Sequence, residues 1–234
     1  MKCKGVKIYG VSHIVHSTEN LDEAESNFIT LGYSRKSENI GGLNPPQKSP
    51  FISGKMSEKS DILLMSKTGY PDIEVKSESG YKNVIGKSAF ESFYDGKYNI
   101  CTDVNNVNPI AIYIKCHDIE RAASLWNNFG FTINRHTQKS LLEVEIKNRV
   151  LGKKASLLYV NHHKKPENMW LNQNNTVCIS FVCDSVDKAR DCLLEKGYYA
   201  GNIFKIKPFE RKIKGFFMRN YTGEIYEFIS PDFE

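Results

Sequence analysis

One strand-and-helix plan occurs three times along the 234 residues of this chain. Each copy has a short β-branched or aromatic run, a polar breaker, an amphipathic helical pattern and a glycine turn, and further strand-like runs follow. The copies read KIYGVSHIVHSTENLDEAESNFITLGY, NPIAIYIKCHDIERAASLWNNFGF and NTVCISFVCDSVDKARDCLLEKGY. Three copies of one unit are hard to obtain by chance, so we expect an array of similar modules.

The spacing of apolar residues predicts one helix in each copy, with apolar side chains three and four positions apart. Asn20 and Asp118 stand where a polar side chain caps the first turn of the first and second helices. We expect the three helices to end at Gly32, Gly130 and Gly197, because glycine tolerates the left-handed conformation that follows a last helical turn.

Strand-like runs follow each helix and complete the modules. They are TINRH, LLEVEIKN and KASLLYVN after the second helix, and IFKIKPF, KGFFMRNY and GEIYEFIS after the third. The runs after the first helix, YSRKSEN, DILLMSK and PDIEVKS, are interrupted by a proline-containing loop. We predict βαβββ modules at 1–80, 107–161 and 175–234, with a connecting or lid segment at 81–106 and a linker at 162–174.

Charge and motif content argue against several classes of function. Lys and Arg outnumber Asp and Glu by 32 to 27, but they are scattered in ones and twos, which is too dilute for a nucleic-acid-binding stripe. The sequence has no Walker loop and no GxGxxG, GxSxG or HExxH pattern, so we do not expect nucleotide-driven or serine-hydrolase chemistry. A small molecule is the expected partner.

The cysteines and the hydropathy pattern bear on location. No CxxC pair occurs, and several cysteines fall inside apolar runs, so free thiols in a reducing compartment are expected for Cys3, Cys101, Cys116, Cys178, Cys183 and Cys192. The amino terminus lacks an apolar stretch of signal-peptide length, and nowhere do about 18 apolar residues run together. We therefore expect no membrane partner and a cytoplasmic location.

The repeated plan of a strand, a helix and three strands resembles the vicinal oxygen chelate superfamily, which includes glyoxalase I, extradiol dioxygenases and bleomycin-resistance proteins. The resemblance covers about four fifths of the chain as a repeat plan. It implies an α+β fold in which tandem βαβββ modules form cupped mixed β-sheets with helices packed outside. In that superfamily two modules pair into a cup of eight strands, and a divalent metal binds on the cup floor.

The resemblance also implies which residues would bind the metal. His13 stands seven residues before Asn20, which matches the His that begins a module. Glu74 resembles the Glu that closes the first module, and Glu227, four residues after a turn glycine, resembles the closing Glu of the third. The implied ligands are His13, Glu74 and Glu227, with a catalytic role for the two glutamates.

The second and third modules depart from the family pattern. Ala111 occupies the His position of the second module, whose last strand has no acid, and Cys178 occupies that position in the third. If the second and third modules pair, their cup keeps only Cys178 and Glu227. If the first module pairs with the third, or with its copy in a homodimer, His13, Glu74 and Glu227 meet with Cys178 lining the cavity.

Each candidate residue also has a purely structural explanation. His13 could be a hydrogen-bonded histidine at a strand surface, the two glutamates could face solvent through strand alternation, and Cys178 could be a small buried hydrophobic residue. The sequence therefore predicts the site only as far as the resemblance carries it.

The resemblance implies a metal-dependent enzyme acting on a small oxygenated organic molecule, whose neighbouring oxygens chelate the metal. Imidazole with two carboxylates suits Mn, Fe(II), Ni, Co or Zn and leaves positions open for substrate. A lyase, an isomerase and a ring-cleaving dioxygenase all remain open. The alternative is a metal-free protein that sequesters a small molecule or antibiotic, since the second module has lost its ligands. A third hypothesis is a degenerate scaffold that serves dimerisation or partner contact.

Overall fold

The computed structural model describes residues 3, 5–78, 110–136, 141–147, 154–161, 168–172, 177–208 and 211–232. The predicted connecting or lid segment at 81–106 lies outside these residues. Of the predicted linker at 162–174, only residues 168–172 are described.

Each of the three copies forms a helix and a set of strands. The first contains β1 (Ile8–Ser17), α1 (Leu21–Thr30), β2 (Ser34–Leu43), a 3₁₀ helix (Pro46–Phe51), β3 (Lys59–Ser66) and β4 (Asp72–Glu78). The second contains β5 (Ile110–Cys116), α2 (Ile119–Phe129), β6 (Thr132–His136), β7 (Leu141–Lys147) and β8 (Lys154–Asn161). The third contains β9 (Val177–Cys183), α3 (Val186–Glu195), β10 (Tyr199–Ala200), β11 (Phe204–Ile206), β12 (Ile213–Arg219) and β13 (Ile225–Pro231).

The predicted helix boundaries are confirmed by the capping interactions. The side chains of Asn20 and Asp118 accept hydrogen bonds from backbone N–H groups in the first turns of α1 and α2. Gly130 caps α2 with φ of 76°, a left-handed conformation in which an L side chain would be strained. Gly32 and Gly197 follow the last turns of α1 and α3 with similar positive φ values.

The first and third modules share one continuous sheet. Its nine strands follow the order β10-β12-β13-β9-β1-β4-β3-β2, with β11 paired to β12. The two modules join where β1 pairs with β9 in antiparallel orientation. The second module forms its own four-stranded sheet in the order β5-β8-β7-β6. The predicted α+β fold of cupped mixed sheets with helices outside is confirmed, and the first module pairs with the third.

The second module packs on the outer face of the nine-stranded sheet through α2. The Trp126 ring lies 5.1 Å from that of Phe181 on β9, and Phe129 lies 5.5 Å from Phe228 on β13. The indole N–H of Trp126 donates to the Tyr159 hydroxyl at 2.6 Å, and the hydroxyls of Tyr159 and Tyr226 lie 2.8 Å apart. The outer face is thus filled by aromatic packing, while the inner face lines a cavity.

The expectation of free thiols is wrong for two of the six cysteines. Cys3 and Cys192 form a disulfide between the amino-terminal segment and α3. The backbone N–H of Cys3 also donates to the carbonyl of Asn128 near the end of α2, so the amino-terminal segment is attached to both helices. Spacing could not reveal this pair, because 189 residues separate the two cysteines. Of the others, Cys116, Cys178 and Cys183 are free and buried, and Cys101 lies outside the described residues.

In the described part of the chain, no helix combines the length and apolar character needed to cross a membrane.

Candidate metal site

The inner face of the nine-stranded sheet lines a cavity of about 550 Å³. A cavity of this size accommodates a small organic molecule. His13, Glu74, Glu227 and Cys178, the four residues singled out in the sequence, all line it. The first and third modules both contribute residues to its walls. The pairing of β1 with β9, which joins these modules, therefore creates the cavity.

Strand β1 directs His13 into the cavity. The pairing of β1 with β9 is irregular between Val11 and His13, and such irregularities redirect side chains. Ser12 and His13 consequently both face the cavity. The Ser12 hydroxyl lies 3.1 Å from His13 Nδ1. A hydrogen bond from Nδ1–H to that hydroxyl leaves Nε2 as the nitrogen with a free lone pair, which is how histidine ligands are commonly oriented.

Strand register brings the two glutamates to His13 from opposite sides. Ser180 of β9 is the register partner of both His13 and Glu227, so these three side chains form one row across β1, β9 and β13. Glu74 on β4 is paired with Val15, two residues along β1 from His13 and therefore on the same face. His13 Nε2 lies 3.4 Å from Glu74 Oε2 and 3.5 Å from Glu227 Oε2.

Burial and neighbouring charges act on the ionisable groups of this row. Burial raises the pKa of Glu227, the nearby His13 lowers it, and the nearby Glu74 raises it further. Burial, with the negative charges of Glu227 and Glu74, also raises the pKa of Cys178 well above that of a free thiol. Cys178 is therefore a neutral thiol in the cavity wall, and a thiol must lose its proton to serve as a metal ligand.

The two carboxylates cluster around His13 Nε2, and within the described ranges no group of three or more potential ligands is already arranged to hold a metal ion. The donor set and its spacing nevertheless fit one. Nitrogen and oxygen ligands at about 2.1 Å from a shared ion lie about 3.0 Å apart at an octahedral edge and about 3.4 Å apart at a tetrahedral edge. The observed separations of 3.4 and 3.5 Å are close to the latter.

Three residues close to the candidate site were not predicted, although strand alternation could have revealed two of them. Ser180 lies two residues after Cys178 on β9, and Lys76 lies two residues after Glu74 on β4, so each shares the face of a predicted residue. Lys48 belongs to the 3₁₀ helix within the proline-containing loop, where no periodic signal places a side chain.

The fold can be compared with solved structures. A mutant of glyoxalase I from Zea mays superposes with a TM-score of 0.60 at 12% identity, covering 97% of this chain and 94% of that one. A second mutant of the maize enzyme gives 0.58 at 12% identity, covering 97% and 95%. The maize glyoxalase I structure itself gives 0.56 at 10% identity, covering 98% and 94%.

The chain has the vicinal oxygen chelate fold. No protein-family model matches its sequence, and no curated protein sequence matches it either. At identities of 10–12% the likeness to the maize enzyme concerns the fold alone. Within this vicinal oxygen chelate fold, the row of His13, Ser180 and Glu227 with Glu74 beside it is the part of the cavity whose chemistry suits a metal ion.

Proposed function

We propose that this protein is a metal-dependent enzyme acting on a small oxygenated organic molecule. The observation that carries the proposal is the convergence of one imidazole and two carboxylates within 3.5 Å in the wall of a cavity of about 550 Å³. His13, Glu74 and Glu227 would be the ligands, with Mn, Fe(II), Ni, Co or Zn as the suitable ions. When bound, such an ion supplies Lewis acidity to paired substrate oxygens.

The protein's own groups would position the ligands and move a proton. The Ser12 hydroxyl, 3.1 Å from His13 Nδ1, orients the His13 ring. Glu74 and Glu227 approach His13 from opposite sides, so a substrate held at His13 would have a carboxylate within reach. One of these carboxylates would accept a substrate proton in a lyase or isomerase reaction. In a ring-cleaving dioxygenase both would remain ligands.

The proposal is tested by the metal content of protein purified anaerobically without chelator. We expect close to one ion per chain in the wild type, and loss of that ion in His13→Ala, Glu74→Ala and Glu227→Ala. The control is Glu195→Gln, which removes a carboxylate from the exposed surface of α3 and should leave the metal content unchanged. Melting temperatures of all variants show whether each is folded.

Two outcomes of this experiment decide between the hypotheses. A wild-type protein that takes up none of the five metals after reconstitution contradicts the proposal and leaves the metal-free binding hypothesis. A metal that is retained opens the choice of reaction. Consumption of oxygen with an iron-loaded enzyme would indicate a dioxygenase, and oxygen-independent turnover would indicate a lyase or isomerase.

A further inference from the structure

Two buried lysines line the cavity beside the candidate metal site. Lys48 is only 2% exposed and Lys76 only 8%. Both ammonium groups contact the same neutral atom, Asn44 Oδ1, at 3.4 Å for Lys48 and 2.8 Å for Lys76. These two contacts limit the separation of the Nζ atoms to about 6 Å, so two like charges are held close together away from bulk water.

The shared amide is fixed in orientation. Asn44 Nδ2 donates to the carbonyl of Ser57 at 3.0 Å, and the backbone N–H of Asn44 donates to the carbonyl of Glu58 at 2.8 Å. Since Nδ2 faces a carbonyl, Oδ1 must be the atom that faces the lysines. The hydroxyl of Ser60 also lies 3.3 Å from Oδ1. The lysine pair is thus held by a rigid scaffold and not by flexible surface chains.

The lysine pair adjoins the proposed ligands. Lys76 lies two residues after Glu74 on β4, so both side chains are on the same face and their Cα atoms are about 7 Å apart. One small molecule is therefore long enough to contact the lysines with one group and the His13 row with a pair of oxygens.

The charges lining the cavity favour an anionic occupant. Its described walls contain two carboxylates, Glu74 and Glu227, and five basic side chains. The basic set is Lys48, Lys76, Lys205, Lys207 and Arg211, of which Lys205 forms an ion pair with Asp232 at 3.3 Å. Once the two carboxylates are engaged by a divalent cation, the cavity carries a clear excess of positive charge. Apolar side chains line the remaining wall, among them Phe204, Phe217 and Ile229.

We infer that the substrate is an organic carboxylate with an apolar body, and that Lys48 and Lys76 bind its carboxylate group while its chelating oxygens face His13. The inference rests on the proposed function for the chelating oxygens, but the lysine subsite itself requires no metal. Ammonium groups form charge-assisted hydrogen bonds with a carboxylate that a neutral amide of the same shape cannot match.

The test uses benzoate and benzamide, which share size and shape and differ in charge. Binding of each to the full-length, chelator-treated protein is measured by calorimetry. We expect benzoate to bind at least tenfold more tightly than benzamide, and this preference to fall at least fivefold in Lys48→Met and in Lys76→Met, as the loss of a charge-assisted hydrogen bond predicts. Lys188→Met, which removes an exposed lysine of α3, should keep the wild-type preference.

Methionine preserves the length and apolar stem of lysine, and melting temperatures identify any variant that does not fold. The wild-type comparison stands without the variants. Equal binding of the two probes, no benzoate binding at millimolar concentration, or a preference that survives both Lys→Met changes would overturn the inference.

Metal content measured on the same preparations separates this inference from the proposed function. A lysine-dependent preference for benzoate in a protein that binds no metal supports the anion subsite and contradicts the metalloenzyme proposal. Stoichiometric metal with no preference for benzoate contradicts the anion subsite and leaves the metalloenzyme proposal standing.

Discussion

Glu224 is a fully buried carboxyl in the turn between β12 and β13. Thr222 donates a hydrogen bond to its Oε2, and its Oε1 has no hydrogen-bond partner among the described residues. Burial raises the pKa of Glu224 to about 7, even though the bond from Thr222 and a backbone hydrogen bond lower it. The ionisable groups that feel its charge are Cys116, Tyr159 and Tyr226, all of which stay neutral at physiological pH because their own pKa values are raised.

The Glu224 carboxyl predicts a loss of stability as pH rises. Its pKa is raised from 4.5 in the unfolded chain to about 7 in the fold, so its contribution is fully present below pH 4.5 and is lost as pH passes 7. The shift corresponds to about 3 kcal/mol in the free energy of unfolding. We expect Glu224→Gln, which cannot ionise, to lose less stability than the wild type between pH 4.5 and 8.

Urea unfolding at several pH values measures this difference. Glu195→Gln is the control, because it removes an exposed carboxyl and should follow the wild-type pH profile. Parallel profiles for the wild type and Glu224→Gln would show that the carboxyl ionises without cost in the fold.

At the scale of elements, the docking of α2 depends on a short chain of buried hydroxyls. The Tyr159 hydroxyl of β8 accepts from the Trp126 indole and lies within hydrogen-bond distance of the Tyr226 hydroxyl on β13. It therefore links α2, the second sheet and the nine-stranded sheet in one contact. All three side chains are fully buried, so none can exchange a lost partner for bulk water.

Removing the central hydroxyl should take a hydrogen-bond partner from two buried polar groups, the Trp126 indole and the Tyr226 hydroxyl. We expect Tyr159→Phe to lower the free energy of unfolding by about 1–3 kcal/mol. Tyr226→Phe in the same chain should recover part of that loss, because the second substitution removes one of the two groups that lost this partner. Additive effects in the double-mutant cycle would indicate that the two hydroxyls do not interact.

The elements also show what the sequence could predict and what it could not. Periodicity and capping residues placed α1, α2 and α3 because these signals are local. The pairing of β1 with β9 depends on edge strands far apart in the chain, which local patterns do not encode, and the sequence left three pairings open. The same limit applies to the site. The family resemblance suggested His13, Glu74 and Glu227 as candidates. Their closeness in space depends on the register between strands, and the position of Lys48 depends on the path of a loop, neither of which a local pattern encodes.

At the scale of the whole molecule, the Cys3–Cys192 disulfide closes a loop of 189 residues that contains the first two modules and ends within α3 of the third. Cross-links that close long loops reduce the conformational freedom of the unfolded chain the most. We expect reduction to lower the free energy of unfolding by about 2–5 kcal/mol.

Unfolding of the wild type with and without dithiothreitol measures that contribution. The Cys3→Ser/Cys192→Ser double variant should match the reduced wild type and should not respond to dithiothreitol. A wild type whose stability is the same with and without reductant would contradict the prediction. A response of the double variant would point to a different cystine.

The antiparallel pairing of β1 with β9 also has a consequence for synthesis of the chain. In the first module β1 lies at the end of the order β1-β4-β3-β2, so one of its edges has no partner strand within that module. Its partner at that edge is β9, which is synthesised about 170 residues later. At ribosomal rates of about 5–20 residues per second, that edge stays open for roughly ten to thirty seconds. An open edge is a template for any strand that reaches it first. Crowded polysomes should therefore favour cups assembled from two nascent chains, each completing the other's sheet.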